Sequence, residues 1–165
     1  MIIKGVCHVF GDNIDTDRII AGKYTKTLDL QELASHVMED LDPGFRSRLN
    51  KGDIVVGGYN FGCGSSREQA PLALKTAGVS LVVARSFARI FFRNSINIGL
   101  PLIEAKDHRI ADQDELETDL IHGTITNLSQ NAQYKGTQMP SVMVDILNEG
   151  GLTNYLKKYG AFKVN

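Results

Sequence analysis

The chain has 165 residues, with 18 lysines and arginines against 19 aspartates and glutamates, and a formal net charge of −1. This length predicts one domain over residues 1–165 with a real core, and the balanced charge without a basic run argues against nucleic acid as a partner. No apolar run approaches the ~20 residues of a membrane span and no secretion signal precedes the first predicted strand, so we expect a cytoplasmic protein without a membrane partner.

The N-terminal third predicts a strand, a polar turn and a helix. Residues Ile2 to Phe10 alternate loosely as a strand does, and Gly11 to Arg18 form a turn-prone segment with three aspartates in six residues. That segment lacks the glycine and closing glutamate of an EF-hand, which favours a hydrogen-bonded turn over a calcium loop. After a loop over Ile19 to Thr27, Asp29 caps an amphipathic helix with apolar residues as far as Leu41.

The middle of the chain predicts alternating strands and helices over residues 54–103. Apolar, β-branched runs at 54–56 and 80–84 are typical of buried strands, and residues 100–103 form a third. One helix begins at Ser65 or Ser66 and ends at Gly78, and a second begins at Ser86. Strands joined through helices form right-handed crossovers, so we expect an α/β fold with a mostly parallel central sheet flanked by helices.

The last third is more polar and predicts additional β structure. Seven acids against two bases over Glu104 to Asp119 indicate a solvated segment. Leu120 to Thr126 and Val142 to Leu147 are predicted strands with a loose polar connection through Tyr134. A short helix over Leu152 to Tyr159 ends the predicted structure.

The candidate chemistry lies in a glycine-rich turn that follows the predicted strand 54–56. Its glycines permit positive φ and close approach of another group to the backbone. Ser65 and Glu68 have the spacing of a capping box, which predicts a helix N-terminus where unpaired N–H groups favour an anion. The members of this predicted anion site are Ser65, Ser66 and Arg67.

Spacing excludes several other sites at this turn. Arg67 stands where the dinucleotide fingerprint has its third glycine, and no Gly-Lys-Ser/Thr follows, so the turn is no P-loop. The serines are not in a G-x-S-x-G elbow, and a serine hydrolase would need a distant histidine as base. Cys63 is either a nucleophile with a pKa lowered by the helix end or a small packing residue.

Three arginines spaced by four, Arg85, Arg89 and Arg93, are predicted to share one helix face. Guanidinium groups bind carboxylates bidentately, which would make this face an anion site. Pairing with the acids of the 104–119 segment, or extension over the helix surface, is the favoured alternative.

The cysteine count bears on cofactors. Cys7 and Cys63 alone supply neither a tetrahedral zinc site nor the usual cysteine set of an iron–sulfur cluster. The histidines show no i, i+4 pair for a metal. We therefore expect no metal or cofactor site in this chain.

Several segments together resemble the small subunit of isopropylmalate isomerase, also called 3-isopropylmalate dehydratase. The resemblance extends in register over nearly the whole chain, and Gly-Ser-Ser-Arg-Glu is its most specific motif. It implies a swivelling β/β/α domain of the kind found at the C-terminus of aconitases, here as a separate polypeptide. The segments that carry the resemblance are Asp12 to Ile20, Asn60 to Glu68, Ser86 to Asn94, Asn97 to Pro101 and Glu149 to Leu152.

The resemblance implies a hydro-lyase that interconverts 2-isopropylmalate and 3-isopropylmalate by dehydration and rehydration in leucine biosynthesis. It further implies a partner large subunit, in a heterodimer or larger complex, that holds a four-iron, four-sulfur cluster. By motif position, Ser65 corresponds to the family's serine base, and Ser66 and Arg67 to residues that bind a substrate carboxylate. Thr16 and Asp17 match residues that line the same cleft.

Two departures from the family pattern bear on the substrate. The loop 24–27 aligns with the specificity loop, where isopropylmalate enzymes present an apolar side chain and homoaconitases an arginine, whereas this chain has Lys26. A cation there can bind a distal carboxylate, as in the tricarboxylate homoaconitate. Gln69 replaces a common histidine, which suggests 2,3-dimethylmalate dehydratase. Isopropylmalate stays the expected substrate, and a homoaconitase or a 2,3-dimethylmalate dehydratase small subunit is the alternative. An alternative from another class is a non-catalytic anion-binding regulatory module.

Overall fold

The computed structural model describes residues 1–162, so residues 163–165 of the predicted domain lie outside the described residues. The strands are β1 (Ile2–Val9), β2 (Ile54–Val56), β3 (Leu81–Ala84), β4 (Leu102–Glu104), β5 (Glu115–Asp119), β6 (Thr124–Asn127) and β7 (Ala132–Lys135). The helices are α1 (Thr16–Ile19), α2 (Leu30–Ser35), α3 (Phe45–Arg48), α4 (Gln69–Ala77), α5 (Arg89–Ile98), α6 (Ser141–Asn148) and α7 (Leu152–Tyr159). A 3-10 turn covers Gly22–Tyr24.

Within the described residues, seven strands form one sheet in the order β4-β3-β2-β1-β5-β6-β7. Neighbours from β4 to β1 run parallel, whereas β5, β6 and β7 are added as antiparallel strands. Every residue of β2 and β3 is buried, as expected for central parallel strands with both faces covered. The predicted α/β class with a parallel centre and additional β structure is confirmed.

The sheet curls until its two edge strands approach each other. Just after β7 in the chain, the Thr137 backbone N–H donates to the Glu104 carbonyl of β4 at 2.8 Å, and Gly136 lies against the Ile103 side chain. The buried His108 ring packs edge-on against Tyr134 at this seam, and burial together with the Arg85 charge lowers its pKa to about 4. The seam protects strand edges that an open sheet would expose.

Several sequence predictions about the elements away from the glycine-rich turn are wrong. Val142 to Leu147 lie in helix α6 rather than in a strand, because a short apolar run fits either period. The helix predicted from Asp29 to Leu41 ends at Ser35, since Met38 takes a positive φ of 58°, although Met38 is buried as predicted. The acidic 104–119 segment ends in strand β5, where alternate residues are buried against the core.

Glycines in the left-handed conformation end two of the helices. Helix α7 covers Leu152–Tyr159 as predicted, with Gly160 in the left-handed C-cap position. Gly78 caps α4 in the same way. In the part of the chain that the structure describes, no helix has the length and apolar character needed to cross a bilayer.

Candidate active site

The glycine-rich turn after β2 lies between the loops that follow β1 and β3, at the carboxyl edge of the parallel strands. Its Gly62 N–H donates to the Ile14 carbonyl at 2.7 Å, and the Thr16 N–H donates to the Cys63 carbonyl at 2.9 Å. On the other side, the Ala88 N–H donates to the Phe61 carbonyl at 2.9 Å. Ligand sites in α/β proteins form at this edge, so the turn is held in the expected position.

Close packing explains the glycine at position 62. Its φ is +81°, and a Cβ there would overlap the ring of Phe91 in α5. Gly62 is buried, and the next residues lead the chain outward to Ser65 and Ser66, which are both exposed. The turn can therefore pack tightly on α5 and still present its serines at the surface.

The predicted helix start at Ser65 or Ser66 is wrong. Helix α4 begins at Gln69, with Glu68 at the N-cap position and no side chain capping it. The Ser65 hydroxyl does not cap a helix because it bonds across the site to Thr16 instead. The predicted Ser86 cap of the next helix is also wrong, since Ala88 holds that position and Ser86 Oγ accepts from the Asn60 N–H at 2.7 Å.

Thr16 holds the Ser65 side chain in place. Thr16 is buried in the first position of α1, and its Oγ1 lies 3.0 Å from Ser65 Oγ and 3.1 Å from the Ser65 carbonyl oxygen. A threonine hydroxyl has one hydrogen, so it donates to only one of these oxygens at a time. When it donates to the carbonyl, the Ser65 hydroxyl donates to Thr16, and the arrangement fixes the Ser65 rotamer in either state.

Asp17 and Arg67 form the charged part of the site. Asp17 Oδ1 lies 2.6 Å from Arg67 Nη1, and the arginine is the more buried partner, with 29% of its side chain exposed against 63% for Asp17. Nη1 is buried and has no hydrogen-bond acceptor among the described residues, so its contact with Asp17 is an ion pair. The guanidinium also packs on Gly22, where a Cβ would come within 3.1 Å of Nη1.

An open cavity of about 720 Å³ lies beside Ser65, between the glycine-rich turn and the first turns of α5. Its volume falls in the range of roughly 300–1,000 Å³ that is typical of small-molecule sites. We call it the Ser65 cavity. The residues that line it are Gly62, Gly64, Ser65, Ala88, Arg89, Ile90 and Arg93.

The predicted site residues therefore divide into two groups. The first group consists of two contacting pairs, Ser65 with Thr16 and Asp17 with Arg67. Of the predicted site residues in the described chain, Ser65 is the one that lines the cavity. Lys26 is exposed just beyond the 3-10 turn, with no hydrogen bond or ion pair to a described residue. Ser66 is exposed, and its carbonyl accepts a hydrogen bond from Asn94 Nδ2 at 3.4 Å.

The arginine trio does not share one helix face as predicted. Arg85 precedes α5, and its guanidinium donates to the carbonyls of Lys106 and His108, so it braces the loop after β4. Arg89 and Arg93 lie on α5 and line the Ser65 cavity. Their i, i+4 spacing was the available signal, but the sequence did not show that this face of α5 would meet the glycine-rich turn.

Neither cysteine has the properties of a nucleophile or a metal ligand. Burial, followed by the Asp15 carboxylate, raises the pKa of the Cys63 thiol, which contradicts a nucleophile activated by a helix end. Burial raises the pKa of Cys7 to about 12, and its thiol donates to the Ala111 carbonyl at 3.2 Å. Over residues 1–162, no group of three or more His, Cys, Asp or Glu side chains is arranged to hold a metal ion.

Comparison with known proteins gives consistent matches over most of the chain. Residues 42–108 match the family described as the aconitase C-terminal domain. The chain is 55% identical over 157 residues to a 3-isopropylmalate dehydratase small subunit of Wolinella succinogenes, covering 94% of each sequence. It is equally identical, 55% over 157 residues, to a methanogen homoaconitase small subunit of Methanothermobacter thermautotrophicus, covering 95% of this chain and 92% of the relative.

A solved structure shares the fold as well. The crystal structure of 3-isopropylmalate dehydratase from Methanocaldococcus jannaschii superposes with a TM-score of 0.92 at 49% sequence identity. The match covers 97% of this chain and 96% of the other.

Proposed function

This chain belongs to the family of 3-isopropylmalate dehydratase small subunits, and we propose that it acts with a large subunit as a hydro-lyase that interconverts 2-isopropylmalate and 3-isopropylmalate. The observation that carries the proposal is the exposed Ser65 hydroxyl, oriented by Thr16 at 3.0 Å and lining an open cavity. Hydration of an unsaturated acid needs a positioned proton donor and acceptor, and this hydroxyl has the required exposure and support.

We assign the proton transfer to Ser65. In the dehydration direction its alkoxide accepts the proton from the carbon next to the one that bears the hydroxyl group. The C–H electron pair forms the C=C bond as the C–O bond breaks, and rehydration returns the proton from Ser65 to carbon. A serine is a weak base at its ordinary pKa, so nearby positive charge must stabilise the alkoxide. We assign this role to the Arg67 guanidinium, which lies two residues further along the chain and is held by Asp17.

Carboxylate binding is assigned to Ser66 and Arg67. Part of the Arg67 side chain, 29%, is exposed, so its accessible N–H groups can donate to a substrate carboxylate. Nη1 itself is buried against Asp17 and Gly22, and these contacts fix the orientation of the guanidinium. A guanidinium held in this way orients the carboxylate that it binds.

The four-iron, four-sulfur cluster belongs, in this proposal, to the large subunit. The residues of this chain do not fit such a cluster, because Cys7 is buried and bonded to Ala111 and Cys63 is its only thiol near the site. When bound in the partner, the cluster would supply a Lewis acid for the departing hydroxyl group. The open side of the Ser65 cavity leaves room for the second wall that a large subunit would provide.

Reconstitution tests the proposal. The purified chain and a purified cluster-bearing large subunit should each be inactive alone, and together they should convert 3-isopropylmalate to the unsaturated acid, followed by its ultraviolet absorbance. Full activity of either protein by itself, or no activity after a complex has formed, would contradict the proposed function.

Lys26 tests the choice of substrate. Its exposed ammonium group lies in the loop that packs, through Gly22, on Arg67. If Lys26 binds a distal carboxylate, Lys26→Val lowers kcat/KM for homoaconitate about tenfold relative to 3-isopropylmalate, the loss of one charged hydrogen bond. Lys23→Val is the matched control, since Lys23 is exposed in the same loop and lies over the Tyr24 ring. An unchanged ratio in both variants would mean that Lys26 does not select the substrate.

A further inference from the structure

Two arginines on α5 stand out because they line the Ser65 cavity without an ionic partner. Arg89 and Arg93 are both exposed, and neither makes an ion pair or side-chain hydrogen bond with any residue from 1 to 162. Residues four apart on a helix are neighbours on its surface, so the two guanidinium groups can reach one ligand. Two unpaired cations therefore face a cavity that also contains the Ser65 hydroxyl.

The ordinary explanation for such arginines is pairing with acids elsewhere in the chain. The third arginine of the trio fits it, since Arg85 is bound to backbone carbonyls of the loop after β4. Four of the seven acids of the 104–119 segment, which were the predicted partners, are engaged elsewhere. Glu115 pairs with Lys4, Asp119 pairs with His122, Asp114 accepts from Asn127 and Gln130, and Asp112 accepts from the Val9 N–H. None of the seven pairs with Arg89 or Arg93 in the described chain.

The charge of the cavity wall is also uncompensated. Arg89 and Arg93 are the ionisable residues among those that line it, and the lining contains no acid in the described chain. Arg67 differs, because Asp17 lies 2.6 Å from its guanidinium and Arg67 is not part of the lining. Arg67, two residues from Ser65, is therefore paired with an acid, whereas Arg89 and Arg93 in the cavity wall are not.

We propose that Arg89 and Arg93 form a carboxylate subsite of the Ser65 cavity. The subsite binds the second carboxylate of a dicarboxylate substrate whose first carboxylate is held by Ser66 and Arg67. This inference rests on the proposed function and adds the residues that select a dianion over a monoanion. Guanidinium groups suit the task because they bind carboxylate oxygens bidentately. The cavity of about 720 Å³ is large enough for a small diacid.

The test is steady-state kinetics of the reconstituted complex with 3-isopropylmalate as the probe. Arg89→Gln and Arg93→Gln should each raise KM about tenfold and change kcat little, and Arg93→Lys should recover part of the loss because it keeps the charge. Arg109→Gln is the matched control, since Arg109 is exposed and lies outside the Ser65 cavity. Its KM should equal that of the wild type.

Titration with the large subunit separates substrate binding from subunit docking. The raised KM should persist at saturating large subunit. If excess large subunit restores the wild-type KM, these arginines contact the partner and the subsite proposal is overturned. An unchanged KM in both glutamine variants overturns it as well. If the wild-type complex is inactive, the proposed function itself fails, whereas an active wild type with unaffected arginine variants removes the subsite alone.

Discussion

Replacing Ser65 by alanine is expected to lower kcat of the reconstituted complex about a thousandfold or more. The variant removes the group assigned to proton transfer, and general acid–base catalysis by one side chain contributes roughly 100-fold to 10,000-fold. Because Ser65 is exposed, its hydroxyl contributes little to core packing, and its partner Thr16 keeps the Ser65 carbonyl as an acceptor. The measurement is kcat with 3-isopropylmalate at saturating large subunit.

The control for this variant is Ser35→Ala at the end of α2. Ser35 is also exposed and its hydroxyl donates to the Glu32 carbonyl, so the two variants remove comparable surface hydroxyls. Ser35→Ala should leave kcat unchanged, and both variants should melt near the wild-type temperature and bind the large subunit. Activity of the Ser65 variant within a few fold of wild type would instead favour a non-catalytic anion-binding module.

Replacing Arg67 by glutamine is expected to lower kcat/KM about a hundredfold or more. The variant removes the positive charge that we assign to substrate-carboxylate binding, and hydrogen bonds to charged groups contribute about 1.5–3 kcal/mol each. Arg67→Lys should lose nearly as much, because an ammonium group cannot reproduce the planar fork that Asp17 and Gly22 hold. Initial rates at low substrate measure kcat/KM directly.

Arg48→Gln offers a matched comparison for Arg67. Arg48 forms the same kind of pair, with its Nη2 at 2.5 Å from Asp42 Oδ2, but at the surface and away from the glycine-rich turn. Exposed pairs contribute roughly 0–1 kcal/mol to stability, so this variant should keep wild-type kcat/KM. Equal kcat/KM values for the two glutamine variants would show that Arg67 has a structural role only.

The parallel half of the fold was predictable because its signals are local. The run Ile54–Val56 and the left-handed Gly78 cap follow from β-branching and from the freedom of glycine, and both match the structure. The prediction of a strand over 142–147 was wrong because five apolar residues in a row of six fit the period of a strand or of a helix. Packing against α5 and α7 selects the helix. Strand β5 was not predicted because its alternating pattern is weak: one of its buried positions is Thr118 rather than an apolar residue.

The candidate site was predictable as a motif and not as an arrangement. The capping-box spacing of Ser65 and Glu68 predicted a helix start at Ser65 or Ser66, but the helix begins at Gln69. The hydrogen bond between Ser65 and Thr16 joins residues 49 positions apart, so only the fold brings them together. The same holds for Arg89 and Arg93, whose position in the cavity depends on how Phe91 packs on Gly62.

Hydrogen exchange at carbon tests the central assignment most directly. The reconstituted complex is incubated with the unsaturated acid in heavy water, where the Ser65 hydroxyl is exchanged to O–D before the acid binds, and the product acids are analysed by proton NMR and mass spectrometry. Wild type should transfer this deuterium to the carbon that gains a proton on hydration, and Ser65→Ala should introduce none above the uncatalysed rate. Deuterium incorporation by Ser65→Ala at the wild-type rate would contradict the assignment of the proton to Ser65.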